Sequence, residues 1–302
     1  MVYTITLNPS VDYVMECENL KVGSLNRSGS ESYFAGGKGI NVSVMLNNLG
    51  IENTAMGFLA GFTGKEILNV LESKRIKNEF IFLSEGNTRI NVKIKGPVET
   101  EINGIGPFIK NDGTNELLER FKSFNTGDIV IISGSEPKSE HGSIYKMLAE
   151  GLNKEGIGFI ADTTGKSLRD VLPFNPLLVK PNKAELEEFF GKKAESEQEL
   201  IELALKLQSN GAENVLVSLG KDGALLVSAD HCVEKCRAPE GKKINTVGSG
   251  DSMVAGWTAG YIWYKDYKKA FMLSVAAGSA SAFSENIASG EKVLELYKKI
   301  SI

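Results

Sequence analysis

The chain is short of cysteine, short of histidine and without a long apolar run, and each shortage removes a class of protein. Three cysteines, Cys17, Cys232 and Cys236, are odd in number and sparse for 302 residues. That excludes a disulfide scaffold and fits a reducing compartment, so a cytoplasmic location is expected. Cys232 and Cys236 with His141 and His231 do not make a zinc site, because the Cys-x-x-x-Cys lies on a strand pattern without a partner pair. The most apolar late run, FMLSVAAGSASAF (271–283), is too short to span a bilayer and reads as a buried helix. The opening MVYTITLNPSVDY lacks a basic region and alternates like a strand, so no targeting signal is expected and no membrane partner. A formal net charge of −4, with Lys and Arg spread along the chain, leaves no footprint for nucleic acid. No Gly/Ser linker, repeat or low-complexity tract appears.

What is present is globular, with 42% hydrophobic and 24% charged residues. DIVIISGS (128–135), GFIAD (158–162), LLVKPN (177–182) and NVLVSLG (214–220) are nearly continuous apolar runs, as strands buried on both faces are. Polar helical segments lie between them. In SEQELIELALKLQSNG, Leu200, Ile201, Leu203, Leu205 and Leu207 fit one broad stripe closed by Gly211. The βα alternation predicts an α/β fold, a mostly parallel sheet with helices on both faces and ligands at the carboxyl ends of its strands. VDYVMECENL, LNRSGSESYF and TRINVKIKGPVETEING alternate polar and apolar residues instead, which predicts a small separate sheet, inserted as a lid over the site.

Two glycine turns open helices. GSGDSM lacks the third glycine of a dinucleotide fingerprint and the Gly-Lys-Ser/Thr of a P-loop. It leaves a nest of N–H groups at Gly248, Ser249 and Gly250, with Asp251 in the first helical turn. Asp251 is either a helix cap or, in phosphoryl transfer, the group that accepts the proton of an attacking hydroxyl while the amides bind phosphate. AGGKGIN (35–41) repeats the design: Gly36 and Gly37 meet a helix start, with Lys38 and Asn41 free to bind hydroxyls or phosphate, or the turn simply joins strand to helix. Asp12 suits sugar hydroxyls or an exposed strand face. Arg27 and Arg89, on the lid strands, suit a phosphate clamp or a solvated face.

Together and in order, PSVDY, AGGKGIN and TVGSGDSMVAG resemble the ribokinase-like carbohydrate kinase family over the whole chain. Within it, TLNPSVD, NTRINVKI, ETEINGIGP, SGSEP and LVKPNKAELEE look most like the kinases that act on fructose 1-phosphate, and next most like those of tagatose 6-phosphate. The resemblance implies a three-layer α/β sandwich and a single kinase domain over 1–302, with lid strands from about 11–17, 25–35 and 88–104. It implies ATP with Mg²⁺ as phosphoryl donor and a sugar phosphate as acceptor. Asp251 is then the catalytic base, and Gly248, Ser249 and Gly250 the anion hole. Asp12, Arg27, Gly36, Gly37, Lys38, Asn41, Arg89 and Ser135 fall on substrate positions. The Asn-x-x-Glu element falls on Asn182 and Glu185, organising Mg²⁺ through water, with Lys180 near the nucleotide phosphates. Ser218, Leu219, Gly220, Lys221, Asp222 and Gly223 match the nucleotide loop, and AAGSASAFS the adenine-side helix. Without the resemblance, KAELEE is an ordinary helix start and GKDG a good hairpin turn.

The anion turn reads Gly-Ser-Gly-Asp where Gly-Ala-Gly-Asp is commoner, a small change. Glu136 in SGSEPKSE replaces a residue that is usually uncharged, which weakens a substrate role for that loop but not for Ser135. The expected reaction is phosphorylation of fructose 1-phosphate at its C6 hydroxyl. The alternatives are tagatose 6-phosphate or another phosphohexose as acceptor, and, in a different class, a catalytically silent sugar-phosphate-binding regulator. A lid with an apolar outer face would favour a homodimer through lid-to-lid packing.

Overall fold

The computed structural model describes residues 1–300. Its large sheet takes nine strands in the order Val233–Cys236, Ala224–Val227, Val215–Ser218, Leu178–Val179, Gly158–Asp162, Ile129–Ser133, Val2–Thr6, Asn53–Ala60 and Lys77–Leu83. Neighbours are parallel from Lys77–Leu83 across to Val215–Ser218, and the last two strands pair antiparallel at one edge. All four apolar runs read from the sequence are strands here.

Alternate residues of these strands serve different cores, which is why the runs show no alternation. Val130 and Ile132 pack with Tyr145, Leu148, Leu168 and Leu203 on one face. Ile129 and Ile131 pack with Val42, Leu46, Trp257 and Leu273 on the other. The helix Glu197–Ser209 is capped by Ser196 Oγ, which accepts from Glu199 N at 3.2 Å. Its buried stripe is narrower than the periodicity suggested: Leu200, Leu203, Ala204 and Leu207 enter the core, but Leu205 is 37% exposed. All of the run 271–283 but its last residue, the C-cap Phe283, lies in the helix Tyr267–Ala282, packed on Ser249–Tyr264. Its small residues allow backbone contact, since a Cβ at Gly260 would lie 2.6 Å from Ala270 Cα. Among the described residues no helix is long and apolar enough to cross a membrane.

The second sheet has four strands in the order Ser30–Gly36, Ser10–Glu16, Arg89–Lys95 and Thr100–Asn103. It springs from the carboxyl ends of the main strands: Val2–Thr6 runs on into Ser10–Glu16, and Ser30–Gly36 turns directly into the helix Lys38–Asn48. Thr88 fixes a third entry point, its Oγ1 accepting from Ala60 N at 2.9 Å and its carbonyl from Thr63 Oγ1 at 2.6 Å. Register partners share a face, so Asp12, Asn91 and Asn103 lie on one side with Ser10, Arg89, Gly36, Val14 and Lys93. On the other, Val11 packs at the root against Ile40, Leu59 and Ile67, while Tyr33, Ile90 and Ile102 further out are exposed.

Candidate active site

Asp251 is not a cap. It sits in the first turn of Ser249–Tyr264, where no side chain caps the helix, and Gly248 occupies the cap position in the left-handed region with φ 77°. That left-handed backbone, with Ile287 Cδ1 2.4 Å from a would-be Cβ, favours glycine at this turn. The Asp251 carboxylate points into the molecule, and its Oδ2 accepts from Asn41 Nδ2 at 2.7 Å. Burial, with the charge of nearby Asp162, pushes its pKa up to about 6, although the Asn41 hydrogen bond, Lys38 and Lys180 act the other way.

Lys38 opens the helix Lys38–Asn48 behind Gly37, whose φ of 127° and contact with Thr6 Cγ2, 2.8 Å from a would-be Cβ, again require glycine. Its Nζ lies 3.4 Å from Asp162 Oδ1. Lys180 Nζ lies 3.4 Å from the same oxygen, and a Cβ at Gly250 would be 3.1 Å from that ammonium. The two lysines therefore converge from separate elements on one buried carboxylate beside the glycine turn. Burial drives the Asp162 pKa up, but Lys180 and Lys38 outweigh it and hold it below the ordinary value. Asp162 in turn raises the pKa of Lys38 against burial, helped by Asp251 and Glu185. Asp162 Oδ2 and Ser249 Oγ are buried and have no hydrogen-bond partner among the described residues.

Asp162 carried no role in the sequence reading. Its signal was positional only: an acid ending an apolar run, at the carboxyl edge where ligands collect.

Asn182 caps the helix Lys183–Phe190 through a capping box. Its Oδ1 accepts from Glu185 N at 2.9 Å, and its own N–H donates to Glu185 Oε2 at 2.8 Å. Asn182 also bridges to Ser218, where the loop to Gly223 begins. That loop, with one tight turn at Gly220–Asp222, is the hairpin connection between the antiparallel strands Val215–Ser218 and Ala224–Val227. Gly223 has φ 94°, and a Cβ there would strike Cys236 O at 2.0 Å. Asn182, Lys183, Ser218, Leu219, Gly220 and Asp222 border a cavity of about 510 Å³.

On the small sheet, Asp12 is held on three sides. Its Oδ1 accepts from Ser10 Oγ at 2.7 Å and Asn91 Nδ2 at 2.9 Å, and its Oδ2 pairs with Lys93 Nζ at 2.9 Å. Gly36 leaves the space beside it, since a Cβ would lie 2.6 Å from Asp12 Oδ1. Half-buried Arg89 donates from Nε to Asn8 O at 3.1 Å. Arg27 lies in an exposed loop ahead of Ser30–Gly36 rather than on the strand, and Ser135 is exposed just beyond Ile129–Ser133. Glu136 belongs to the framework: its carboxylate accepts from Ser167 Oγ at 2.5 Å, Tyr145 N at 3.1 Å and Ser143 Oγ at 3.2 Å, at the start of Ile144–Lys154.

The structure thus joins Asn41, Asp251, Lys38, Lys180 and the glycine turn into one centre through Asp162, and Asp12, Gly36 and Arg89 into a second cluster at the root of the small sheet. Among the described residues no hydrogen bond or ion pair ties Arg27 or Ser135 to either. The arrangement can take up a proton at Asp251 beside a glycine turn that Lys180 approaches.

A model of the pfkB family of carbohydrate kinases matches residues 5–292. The 1-phosphofructokinase of Bacillus subtilis is 42% identical over 302 residues, covering 100% of this chain and 99% of that protein. The D-tagatose-1-phosphate kinase of Bacillus licheniformis is 37% identical over 303 residues, with 100% and 99% covered. The crystal structure of phosphofructokinase-2 from Escherichia coli in complex with fructose-6-phosphate superimposes with a TM-score of 0.92 at 27% identity, covering 100% of this chain and 99% of that one.

Proposed function

As the chain belongs to the pfkB family of carbohydrate kinases, we propose that it transfers a phosphoryl group from ATP to the C6 hydroxyl of fructose 1-phosphate, giving fructose 1,6-bisphosphate and ADP. The observation that carries this reading is the buried Asp251 carboxylate, fixed by Asn41 in the first turn of a helix that opens on glycines. A pure binder gains nothing from a carboxylate beside a phosphate site, which speaks against the regulator.

Asp251 is the base. Its Oδ2 is engaged by Asn41, which leaves Oδ1 to take the hydroxyl proton as the new P–O bond forms, because an alcohol is too weak an acid to ionise beforehand. The residues fit the donor. The amides at the start of Ser249–Tyr264 point outward from the glycine turn, Ser249 Oγ is unpartnered, and Lys180 Nζ stands beside Gly250. Mg-ATP would supply the phosphoryl group there, held by Gly248, Ser249, Gly250 and Lys180 and by the Ser218–Gly223 loop. Glu185 Oε2 is taken by the Asn182 amide, so Oε1 is the oxygen that would hold Mg²⁺ through water. Asp12, for which Gly36 makes room by lacking a Cβ, takes sugar hydroxyls, and Arg89 with Arg27 and Lys38 takes the phosphate already on the sugar. The small sheet closes as a lid, excluding water.

Its exposed outer residues Tyr33, Ile90 and Ile102 favour a homodimer through the lid. The three free cysteines are compatible with a cytoplasmic enzyme.

The test is ADP release with Mg-ATP across fructose 1-phosphate, fructose 6-phosphate, tagatose 1-phosphate, tagatose 6-phosphate and fructose, with Asp251→Asn alongside. Highest kcat/KM on fructose 1-phosphate, with a loss of roughly 10²–10⁴ in the variant, is expected. A tagatose phosphate in first place would keep the mechanism and change the acceptor. The 37% identity to a D-tagatose-1-phosphate kinase makes that the rival, since the two 1-phosphates differ only at C4. Binding of a sugar phosphate without turnover would leave the regulator.

A further inference from the structure

We propose that Lys93 is a positioning residue for the sugar: it fixes and neutralises Asp12, so that a carboxylate reading sugar hydroxyls can stand beside the phosphate of the same substrate. This rests on the reading of Asp12 as a sugar ligand.

Three observations carry it. The first is direction. The strand neighbour facing Lys93 across the sheet is Glu101, an exposed acid, and a surface lysine would ordinarily pair with it. The Lys93 ammonium turns instead to Asp12 Oδ2 at 2.9 Å. The second is burial. Ion pairs such as Lys110–Glu85 and Lys122–Glu119 join side chains more than half exposed, whereas Lys93 and Asp12 are 19% and 15% exposed. A pair withdrawn from solvent in this way is less screened than a surface one. The third is what else holds the carboxylate. Ser10 and Asn91 both bond to Oδ1, so Lys93 is the group that fixes Oδ2 and with it the plane of the carboxylate.

The charge count gives the reason for a lysine at this place. Asp12 alone would repel a sugar phosphate. Arg89, which feels the charge of Asp12, offsets one negative charge. With Lys93 added, the cluster of Asp12, Arg89 and Lys93 carries one net positive charge, while the carboxylate keeps its hydrogen-bonding oxygens; Glu101, Glu16 and Lys95 lie further out on the same face. The expected consequence is weaker sugar-phosphate binding without Lys93, with nucleotide binding and the chemical step left alone, because Lys93 lies on the lid sheet and Asp251 with the anion turn lies on the main domain.

The test is steady-state kinetics of Lys93→Met and Lys93→Arg with Mg-ATP and the best phosphohexose, together with calorimetric titration of that sugar phosphate. Lys93→Met should raise the sugar KM and Kd about tenfold or more, with the ATP KM and kcat within about twofold, and Lys93→Arg should recover most of the loss. An unchanged sugar Kd overturns the proposal. So does a parallel fall of kcat and of both affinities with a lowered Tm, which marks a merely structural lysine. If no phosphohexose turns over, the function proposed above fails, and the calorimetric arm with fructose 1-phosphate and tagatose 6-phosphate still decides the role of Lys93, failure to bind either counting against it.

Discussion

Replacing Asp251 by Asn should make the unliganded protein more stable at neutral pH and nearly inactive. Folding moves this carboxyl from the ordinary 3.8 up to about 6, chiefly by burial. A group whose folded pKa is raised stabilises the fold when protonated, and that contribution is lost as pH rises through the folded value. Between pH 4 and pH 8 the wild type therefore carries a growing penalty, reaching ~3 kcal/mol by pH 8 for a rise of about two pKa units. About half of it is present at pH 5 and little at pH 4. Asn resembles the protonated acid in shape, and its amide oxygen still accepts from Asn41 Nδ2, so it should escape the penalty at every pH. Urea unfolding of both proteins at pH 4, 5 and 8, without nucleotide or sugar, measures the difference directly. The variant should be the more stable by ~3 kcal/mol at pH 8, with the gap closing toward pH 4. In activity, wild-type kcat/KM should fall about tenfold per pH unit below about 6, because the base must be ionised in the free enzyme. A stability gap that stays constant with pH, or a wild type more stable than the variant at pH 8, would refute the account of a desolvated base.

Two further substitutions test the surroundings. Asp162→Asn removes the common partner of Lys38 and Lys180 and a charge that lifts Asp251; KM should rise for both substrates and the acid limb of the rate profile should move to lower pH. A limb that stays in place would show that Asp162 does not act on the base. Glu136→Ala should lower stability by ~1–3 kcal/mol in urea unfolding while kcat stays within twofold, since its carboxylate serves Ser143, Tyr145 and Ser167. A selective rise in sugar KM would return that loop to the substrate site.

The parts of the fold that could be read from sequence were those whose physics is local or periodic. Strands buried on both faces show themselves as unbroken apolar runs, and the small sheet shows itself by alternation because one of its faces is polar. The capping box of Asn182 and Glu185 is an i,i+3 pattern, visible without a structure. Periodicity alone overstated the stripe of Glu197–Ser209, because it cannot tell which flank of a helix the sheet covers, and Leu205 lies outside it. Asp162 and Lys93 were passed over for a shared reason. The first acts through Lys38, 124 residues away, and the second through Asp12, 81 residues away, and neither pairing leaves a spacing in the chain.

On the proposed function, the two buried carboxylates of the centre account for an acid placed on a glycine turn that takes anions. Asp162 meets two ammonium groups and is held in its charged form, whereas Asp251, desolvated by burial, beside that charge and with a single neutral hydrogen-bond donor, is lifted toward neutrality. One sequence thus sets two aspartates to opposite states: one charged against two lysines, the other shifted toward the neutral range that the proposed role of base calls for. The division also settles the repulsion. Lys38 and Lys180 are anchored by Asp162 rather than by Asp251, so their positive charge stays available at the turn whatever the protonation state of the base. Exchanging the roles, by giving Asp251 a lysine partner, would lower its pKa and cost it basicity. Asn41 avoids that, orienting the carboxylate with a neutral donor.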